Sequence, residues 1–352
     1  ERRQDNGVYG MYAKSDIPHD TVLASFPLNQ LVTASIDKNG PLSNSSVSNL
    51  VYAVILEMAK GPNSSKFAFF SMFETMDELS EHSAYFFTKN ELRSIQNLNP
   101  ILYRVTIEKI RRIDAIKAEI QKLDPGLSHD VIIQVTLNYF SRAWGTEVGF
   151  VPVLDLFNHS DRKGNKIIKR AEDTHVRLIS RITVKKDEQI FISYSRKDLA
   201  EHAISFNYFD SAGTHYIDYS LRVLQTVNSE IKEKVFRYAA KKYGGHFFSV
   251  NDVKYFKLTA KNMFFLEGGP SFNLINYFKD IAAFESKLGD TAYSDQLVLE
   301  NLLSVIDAFI SANQSNKCDL KNIPEKVHRF YHLSIKERQI LENNRYWVVD
   351  NV

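Results

Sequence analysis

Residues 151–160 hold the densest group of side chains that could do chemistry. The run reads Val-Pro-Val-Leu-Asp-Leu-Phe-Asn-His-Ser, so an apolar, strand-like stretch ends in Asp155, Asn158 and His159 within five positions. Composition alone favours a plain explanation, in which polar residues cap the end of a strand. A carboxylate, an amide and an imidazole this close together also suit a binding or catalytic site.

Two familiar kinds of catalytic site find little support. A metal centre needs further ligands at matching spacing, and His175 and His202 have no histidine or carboxylate neighbours in such a pattern. A hydrolase of the Gly-x-Ser-x-Gly type needs its nucleophile in a sharp turn, and that motif does not occur. We therefore expect neither a metal site nor a hydrolytic triad.

The elements that must position this cluster follow in the order strands, helices, strands, helices. Gly and Pro residues break residues 7–35 into short predicted strands. Helical spacing of apolar residues covers residues 47–140, and strand-like alternation returns from about 150. From about 225 the chain is expected to be helical to its end, including residues 253–266, 272–288 and 297–312.

Composition and charge narrow the function classes. The chain has 352 residues, which predicts two or three domains, and its formal net charge is only +2. We therefore expect neither nucleic acid nor a membrane surface as the main partner. A single cysteine, Cys318, excludes an internal disulfide. The sequence has no apolar run that could span a bilayer and no signal-peptide core, so we expect an intracellular protein, cytoplasmic or nuclear. We also expect it to be a monomer.

Several segments, in order along the chain, carry a family resemblance. They are Gly-Met-Tyr-Ala-Lys-Ser-Asp-Ile from Gly10, Ser-Arg-Ala-Trp from Ser141, the run from Val151, Asp-Glu-Gln-Ile-Phe-Ile-Ser-Tyr ending at Tyr194, the stretch 200–208, and the stretch 334–342. Together they resemble the SET-domain methyltransferases of the Rubisco large-subunit lysine methyltransferase (LSMT) type. The resemblance covers nearly the whole chain.

This resemblance implies an α+β protein. A SET core of small β-sheets, with a knotted C-terminal segment, is expected from residues 1–46 and 141–224. A helical insertion is expected at residues 47–140. Residues 225–352 are expected to form an all-α domain, the Rubisco LSMT substrate-binding domain, on which the family docks its protein substrates.

The resemblance also implies the site residues and the cofactor, S-adenosyl-L-methionine. Tyr194 is the expected catalytic residue, at the point of methyl transfer. The expected cofactor contacts are Gly10, Met11, Asn158, His159 and Tyr194. The expected walls of the lysine channel are Arg142, Trp144, Asp155 and Phe206.

Such a site of aromatics and amides suits methyl transfer to lysine. Free lysine has a pKa of about 10.4 and is a poor nucleophile at neutral pH. An ammonium about 4 Å from a cationic sulfonium is destabilised by about 4 kcal/mol at an effective dielectric of about 20, which equals about three pKa units. The donor itself therefore favours the neutral amine, and no strong general base is required.

Two other functions stay open. One branch of the family methylates histidine, and there an asparagine stands two residues after the arginine of the Ser-Arg motif. Trp144 occupies that position here, as an aromatic does in the lysine branch, which favours lysine. Val8, Asp187 and Leu199 depart from the family pattern and would suit a non-catalytic protein-binding module that keeps the SET shape. Asn158, His159 and Tyr194 favour the enzyme.

Overall fold

The computed structural model divides the chain into two compact units. It describes residues 2–5, 8–32, 46–144, 149–160, 164–169, 174–192, 194, 198–206, 216–250, 252–260, 262–288 and 292–351. The first unit comprises Glu1–Phe86, Glu108–Lys197 and Ile204–Tyr208. The second comprises Phe87–Ile107, Asp198–Ala203 and Phe209–Val352. None of the helices among the described residues is long and apolar enough to cross a membrane.

A seven-stranded sheet forms the β part of the first unit. Its strands are β1 (Arg2–Asp5), β2 (Val8–Tyr12), β3 (Val22–Pro27), β4 (Asn158–His159), β5 (Gly164–Lys169), β6 (His175–Ile179) and β7 (Gln189–Ile192). The strands lie in the order β1-β2-β7-β5-β6-β3, and β4 also pairs with β7. Both β4 and β5 run parallel to β7, whereas the other pairs are antiparallel. The two predicted β regions therefore meet in one sheet, as expected.

Alternating apolar residues anchor this sheet to a core. Val176 and Leu178 of β6 are fully buried, and so is Ile192 of β7, while Arg177 between the first two is exposed. Because successive side chains of a strand point to opposite faces, this alternation sends one face into the core. Ala13, Leu154 and Phe157 belong to the same cluster.

Helices fill the predicted helical region and the segment after the sheet. They are α1 (Ser46–Met58), α2 (Phe67–Phe70), α3 (Met76–His82), α4 (Lys89–Leu98), α5 (Pro100–Leu123), α6 (His129–Arg142) and α7 (Leu199–Ser205). Val51, Val54 and Ile55, which fall on one face at helical spacing, are all buried in one cluster with residues of α2 and α6. Asn99 begins α5, because its Oδ1 accepts the backbone N–H groups of Ile101 and Leu102, each at 3.1 Å.

The remainder of the second unit is mostly helical but also contains strands. Its elements are β8 (Tyr216–Asp218), α8 (Tyr219–Arg222), β9 (Leu224–Thr226), α9 (Glu230–Tyr243), β10 (Gly245–Val250), β11 (Val253–Leu258), β12 (Phe264–Leu266), β13 (Gly269–Pro270), α10 (Phe272–Lys287), α11 (Asp295–Ala312) and α12 (His328–Asp350). The strands form two three-stranded sheets, β10-β11-β9 and β13-β12-β8. The predominantly helical character and the helices near 272–288 and 297–312 agree with the prediction.

The prediction of a helix at residues 253–266 is wrong. The segment forms β11 and β12. In β11, Phe256 and Leu258 are buried, whereas the alternating residues Tyr255 and Lys257 are only partly buried. Asp252 and Asn262 adopt positive φ values of 63° each, which ends regular structure on either side of β11. A short apolar run fits either helix or strand by periodicity, and its aromatic and β-branched residues favour the strand. Residues 225–352 are therefore not all-α.

A buried ionic triad lies inside the second unit. Arg222 donates from Nη2 to Asp198 Oδ1 at 2.7 Å and to Glu337 Oε1 at 2.5 Å, and the three side chains are 1%, 0% and 5% exposed. Asn99 donates from Nδ2 to the other oxygen of Glu337 at 2.8 Å. Burial raises the pKa of Glu337, while the nearby Arg222 opposes that shift. The triad connects residues that are far apart in the sequence.

Asp218 adds a second, pH-sensitive carboxyl beside this triad. Its Oδ1 accepts the backbone N–H of Ser220 at 2.9 Å and so begins α8, and its own backbone N–H donates to Asp198 Oδ2 at 2.8 Å. Burial raises the pKa of Asp218 to about 6, and the carboxylates of Asp198 and Glu201 act in the same direction. A raised pKa means that the folded protein binds this proton more tightly than the unfolded chain does.

We therefore expect Asp218→Asn to stabilise the protein at neutral pH. The contribution of Asp218 to stability is fully present below the unfolded pKa of about 3.9 and is lost as pH rises through about 6. Asparagine keeps the acceptor oxygen and has no charge to desolvate. The difference in unfolding free energy between variant and wild type, from urea titrations, should grow between pH 4 and 6 to at most about 3 kcal/mol and stay level above. A difference that does not change with pH would contradict this assignment.

Candidate active site

Strand β7 separates two groups of predicted site residues. Its residues alternate, with Ile190 and Ile192 buried in the core and Gln189 and Phe191 on the opposite face. The parallel partner β4 has Asn158 opposite Phe191 and His159 opposite Ile192. Asn158 therefore belongs to the outer face of the sheet, and His159, which is 8% exposed, to the inner face.

On the outer face, Gly10 lies against two side-chain amides. A Cβ atom built on Gly10 would lie 2.0 Å from Gln189 Nε2 and 3.1 Å from Asn158 Nδ2. Only glycine leaves both amides in place, because any larger residue would have to displace at least Gln189. We call Gly10, Asn158 and Gln189 the amide cradle.

A groove adjoins the amide cradle. It has a volume of about 410 Å³ and shares Gln189 with the cradle, and Tyr12, Thr183, Glu188 and Phe191 are among the residues that line it. Clefts of this size hold drug-sized ligands and cofactors. Aromatic rings beside amide, hydroxyl and carboxylate groups suit a ligand with one flat ring and several polar groups.

On the inner face, Tyr194 lies within a group of aromatic rings. Its ring centroid is 4.8 Å from that of Phe206, 5.2 Å from that of His159 and 6.5 Å from that of Trp144. We call these four residues the aromatic cage. The faces of Trp, Tyr and Phe rings attract a cationic or methylated amine.

Two hydrogen bonds fix the orientation of Tyr194. Its hydroxyl donates to the backbone carbonyl of Phe157 at 2.8 Å, and its backbone N–H donates to His159 Nδ1 at 3.1 Å. An Nδ1 that accepts a hydrogen bond carries no proton, so a neutral His159 has its proton on Nε2. His159 thus positions the backbone of Tyr194, and its Nδ1 is already engaged.

Arg142 and Asp155, two of the expected walls of the lysine channel, form an ion pair. Arg142, the last residue of α6, donates from Nη1 to Asp155 Oδ2 at 2.6 Å, and the two side chains are 18% and 1% exposed. Asp155 lies in a 3₁₀ helix, Leu154–Leu156, that begins after Val153. Val153 has φ 71°, an uncommon value for a β-branched residue, so the turn before Asp155 is tightly constrained.

Comparison with known proteins identifies the architecture. The SET domain profile matches residues 8–195. The chain belongs to the SET-domain family. No curated protein matches it in sequence.

Solved structures of Rubisco LSMT are similar to this SET-domain protein in fold. The SET domain of LSMT bound to lysine and AdoHcy superposes with a TM-score of 0.65 at 14% identity, over 100% of this chain and 86% of that chain. Rubisco LSMT bound to sinefungin and monomethyllysine gives 0.63 at 15% identity, over 100% and 87%. Rubisco LSMT bound to AdoMet gives the same values.

The structure of this SET-domain protein brings most of the predicted site residues together in two groups. Gly10 and Asn158 lie in the amide cradle, and Trp144, His159, Tyr194 and Phe206 form the aromatic cage. Met11 is different, because its side chain packs into the core of the sheet, so that only its backbone borders the cradle. The last two residues of the stretch 200–208, residues 207 and 208, lie outside the described residues.

Sequence reasoning missed Gln189 as a site residue. It is the third residue of the segment Asp-Glu-Gln-Ile-Phe-Ile-Ser-Tyr. Alternate residues of a strand share a face, so Gln189 lies on the same face as Phe191, which is opposite Asn158. Asp187, which departs from the family glycine, adopts φ 67°. Aspartate tolerates this left-handed conformation better than most residues, so the departure is compatible with the same turn.

Proposed function

We propose that this protein is an S-adenosylmethionine-dependent protein-lysine N-methyltransferase that acts on a non-histone or other protein substrate. The observation that carries the proposal is the arrangement around β4 and β7, with the amide cradle on one face and Tyr194 in the aromatic cage on the other. The LSMT structures of the same fold hold AdoMet or AdoHcy and lysine or methyllysine, which supports the same pair of ligands here.

The amide cradle fits the amino-acid part of the cofactor. S-adenosylmethionine supplies an electrophilic methyl group on a cationic sulfur. Asn158 and Gln189 offer amide donors and acceptors, the backbone at Met11 and His159 offers further polar groups, and Gly10 leaves room for close approach. The groove beside Tyr12 and Phe191 has space for the rest of the cofactor.

The aromatic cage fits the lysine. Trp144 and Phe206 offer faces for the amine, and Tyr194, whose hydroxyl donates to Phe157, can still accept a hydrogen bond from it. The Arg142–Asp155 pair braces the adjoining wall. We assign no general-base role to His159, because its Nδ1 already accepts the backbone N–H of Tyr194.

Asn158→Ala is expected to weaken cofactor binding about 10- to 100-fold. A buried polar partner that loses its hydrogen bond costs about 1–3 kcal/mol, and about 1.4 kcal/mol is a tenfold change. Isothermal titration with S-adenosylmethionine measures the effect, and Asn90→Ala, at an exposed position of α4, is the control. Unchanged affinity in Asn158→Ala would remove Asn158 from the cofactor site.

Phe206→Tyr is expected to shift the products toward lower methylation. Phe206 is the member of the aromatic cage closest to Tyr194 and has no hydroxyl, so the wild-type cage keeps space for an added methyl group. We accordingly expect the wild-type product to extend beyond monomethyl-lysine. Mass spectrometry at long reaction times measures the products, and a wild-type reaction that stops at monomethyl-lysine, unchanged in the variant, would contradict the assignment.

Transfer of a labelled methyl group into the proteins of an extract identifies the substrate. We propose that residues 225–352 dock the protein substrate, and that the protein acts in the cytoplasm or nucleus. Incubation of a proteome extract with tritiated S-adenosylmethionine, followed by mass spectrometry of the labelled band, tests the activity. Label in methylhistidine would favour the histidine branch, and a protein that neither binds the cofactor nor transfers label would be a binding module.

A further inference from the structure

We propose that Lys109 is a positioning residue that holds Phe206 in the aromatic cage. The inference rests on the proposed function and names a residue outside both the amide cradle and the aromatic cage. It would act through neighbouring residues and not by touching the substrate.

Lys109, Phe140 and Ser205 belong to three different helices, and all three residues lie in the first unit. Its side chain extends from α5, and its Nζ lies 3.1 Å from the centroid of the Phe140 ring on α6. The same Nζ donates to Ser205 Oγ, the last residue of α7, at 3.2 Å. One ammonium group therefore links a ring of α6 to the end of α7.

One linked residue precedes a member of the aromatic cage, and the other lies near the Arg142–Asp155 pair. Ser205 immediately precedes Phe206, whose ring packs 4.8 Å from that of Tyr194. Phe140 lies two residues before Arg142, which holds Asp155 at 2.6 Å. The ammonium of Lys109 thus ties the end of α6 to the end of α7.

The surroundings of Lys109 are closely packed. Lys109, Phe140, Ile204 and Ser205 help to line a cavity of only about 10 Å³, about the room for one water. Ser205 is 8% exposed and Ile204 is 8% exposed. A cation between an aromatic face and a nearly buried hydroxyl gains from the low local polarity, so its removal leaves the hydroxyl of Ser205 without this donor.

Methyl transfer is sensitive to such a change because it depends on alignment. A displacement of about 1 Å at a reacting group can lower a rate about 100-fold. The amide cradle lies on the other face of the sheet and contains neither Phe140 nor Ser205. Loss of the ammonium should therefore affect turnover and product distribution and leave cofactor affinity nearly unchanged.

The test compares four full-length variants with wild type. Lys109→Met removes the ammonium but keeps an apolar side chain on Phe140, Lys109→Arg keeps a cation, and Ser205→Ala removes the acceptor. Lys117→Met is the matched control, because Lys117 lies on the same helix and its ammonium pairs with Asp114 at 3.1 Å and interacts with Tyr85. The probes are isothermal titration with S-adenosylmethionine, tritium transfer into a proteome extract, and chromatography of the labelled methyl-lysines after hydrolysis.

We expect Lys109→Met to bind the cofactor within twofold of wild type, to transfer methyl about tenfold more slowly, and to change the ratio of mono-, di- and trimethyl-lysine. Lys109→Arg should recover at least half of the rate, Ser205→Ala should change the product ratio in the same direction, and Lys117→Met should match wild type. Thermal unfolding of each variant identifies any loss of fold.

Two results would overturn the role of Lys109 alone. One is a Lys109→Met rate within twofold of wild type with the same products, and the other is an arginine variant no better than the methionine variant. If wild type transfers no methyl group at all, the proposed function fails and this inference fails with it.

Discussion

Replacing Tyr194 with phenylalanine is expected to lower turnover about 100- to 1,000-fold and to change the affinity for S-adenosylmethionine less than about threefold. Loss of one group that acts mainly in the transition state has effects of this size on turnover. The ring itself remains, so its packing against Phe206, His159 and Trp144 should persist.

The geometry explains why the hydroxyl matters more than the ring. The Phe157 carbonyl accepts a hydrogen bond from the Tyr194 hydroxyl at 2.8 Å. This bond fixes the direction of the remaining lone pairs on the hydroxyl oxygen. The backbone N–H of Tyr194 is held by His159 Nδ1, so the residue has little freedom to reorient. A phenylalanine would leave the Phe157 carbonyl without this donor and the amine without its acceptor.

Single-turnover kinetics together with cofactor titration measure the two effects. Tyr85→Phe is the matched control, because the Tyr85 hydroxyl also donates a hydrogen bond, to Asp114 at 2.9 Å, outside the aromatic cage. A Tyr194→Phe variant whose turnover stays within fivefold of wild type would contradict the catalytic assignment. An equal loss of turnover and cofactor affinity would instead make Tyr194 a binding residue.

Arg222→Met is expected to destabilise the protein by about 3–5 kcal/mol. Removing one partner of a buried ionic group leaves the others uncompensated, which is far more costly than the net value of the pair. In the variant, Asp198 and Glu337 would remain buried at 0% and 5% exposure with no cation between them. Both carboxylates favour the charged arginine and hold its pKa above the usual range.

Urea unfolding measures this change, and Arg237→Met is the control. Arg237 pairs with Glu233 at 2.6 Å on the surface, where its side chain is 64% exposed, and such pairs contribute at most about 1 kcal/mol. The loss in Arg222→Met should shrink as pH falls, because protonation neutralises the stranded Glu337, whose pKa burial raises. A triple variant with Asp198→Asn and Glu337→Gln should recover much of the stability, and a loss below about 1 kcal/mol in Arg222→Met would contradict the argument.

Local patterns were sufficient where a residue's role follows from its near neighbours. The alternation around Val176 and Leu178 predicted a strand with one buried face, and the spacing of Val51, Val54 and Ile55 predicted a buried helix face. The same patterns were ambiguous at residues 253–266, because six-residue apolar runs suit a strand or a helix equally well. There the pairing with β9 and β10 selects the strands.

The sequence by itself predicted the SET family and the order of strands and helices before about residue 225, and it pointed to Asn158, His159 and Tyr194 as site candidates, because a short motif and its periodicity are local properties. Only the tertiary structure decided that Asn158 and Tyr194 lie on opposite faces of β7, since that depends on the parallel register of β4. It also brought Gln189 to Gly10 and Lys109 to Ser205. Such contacts depend on pairing and packing between segments far apart in the chain, and periodicity within one segment carries no information about them.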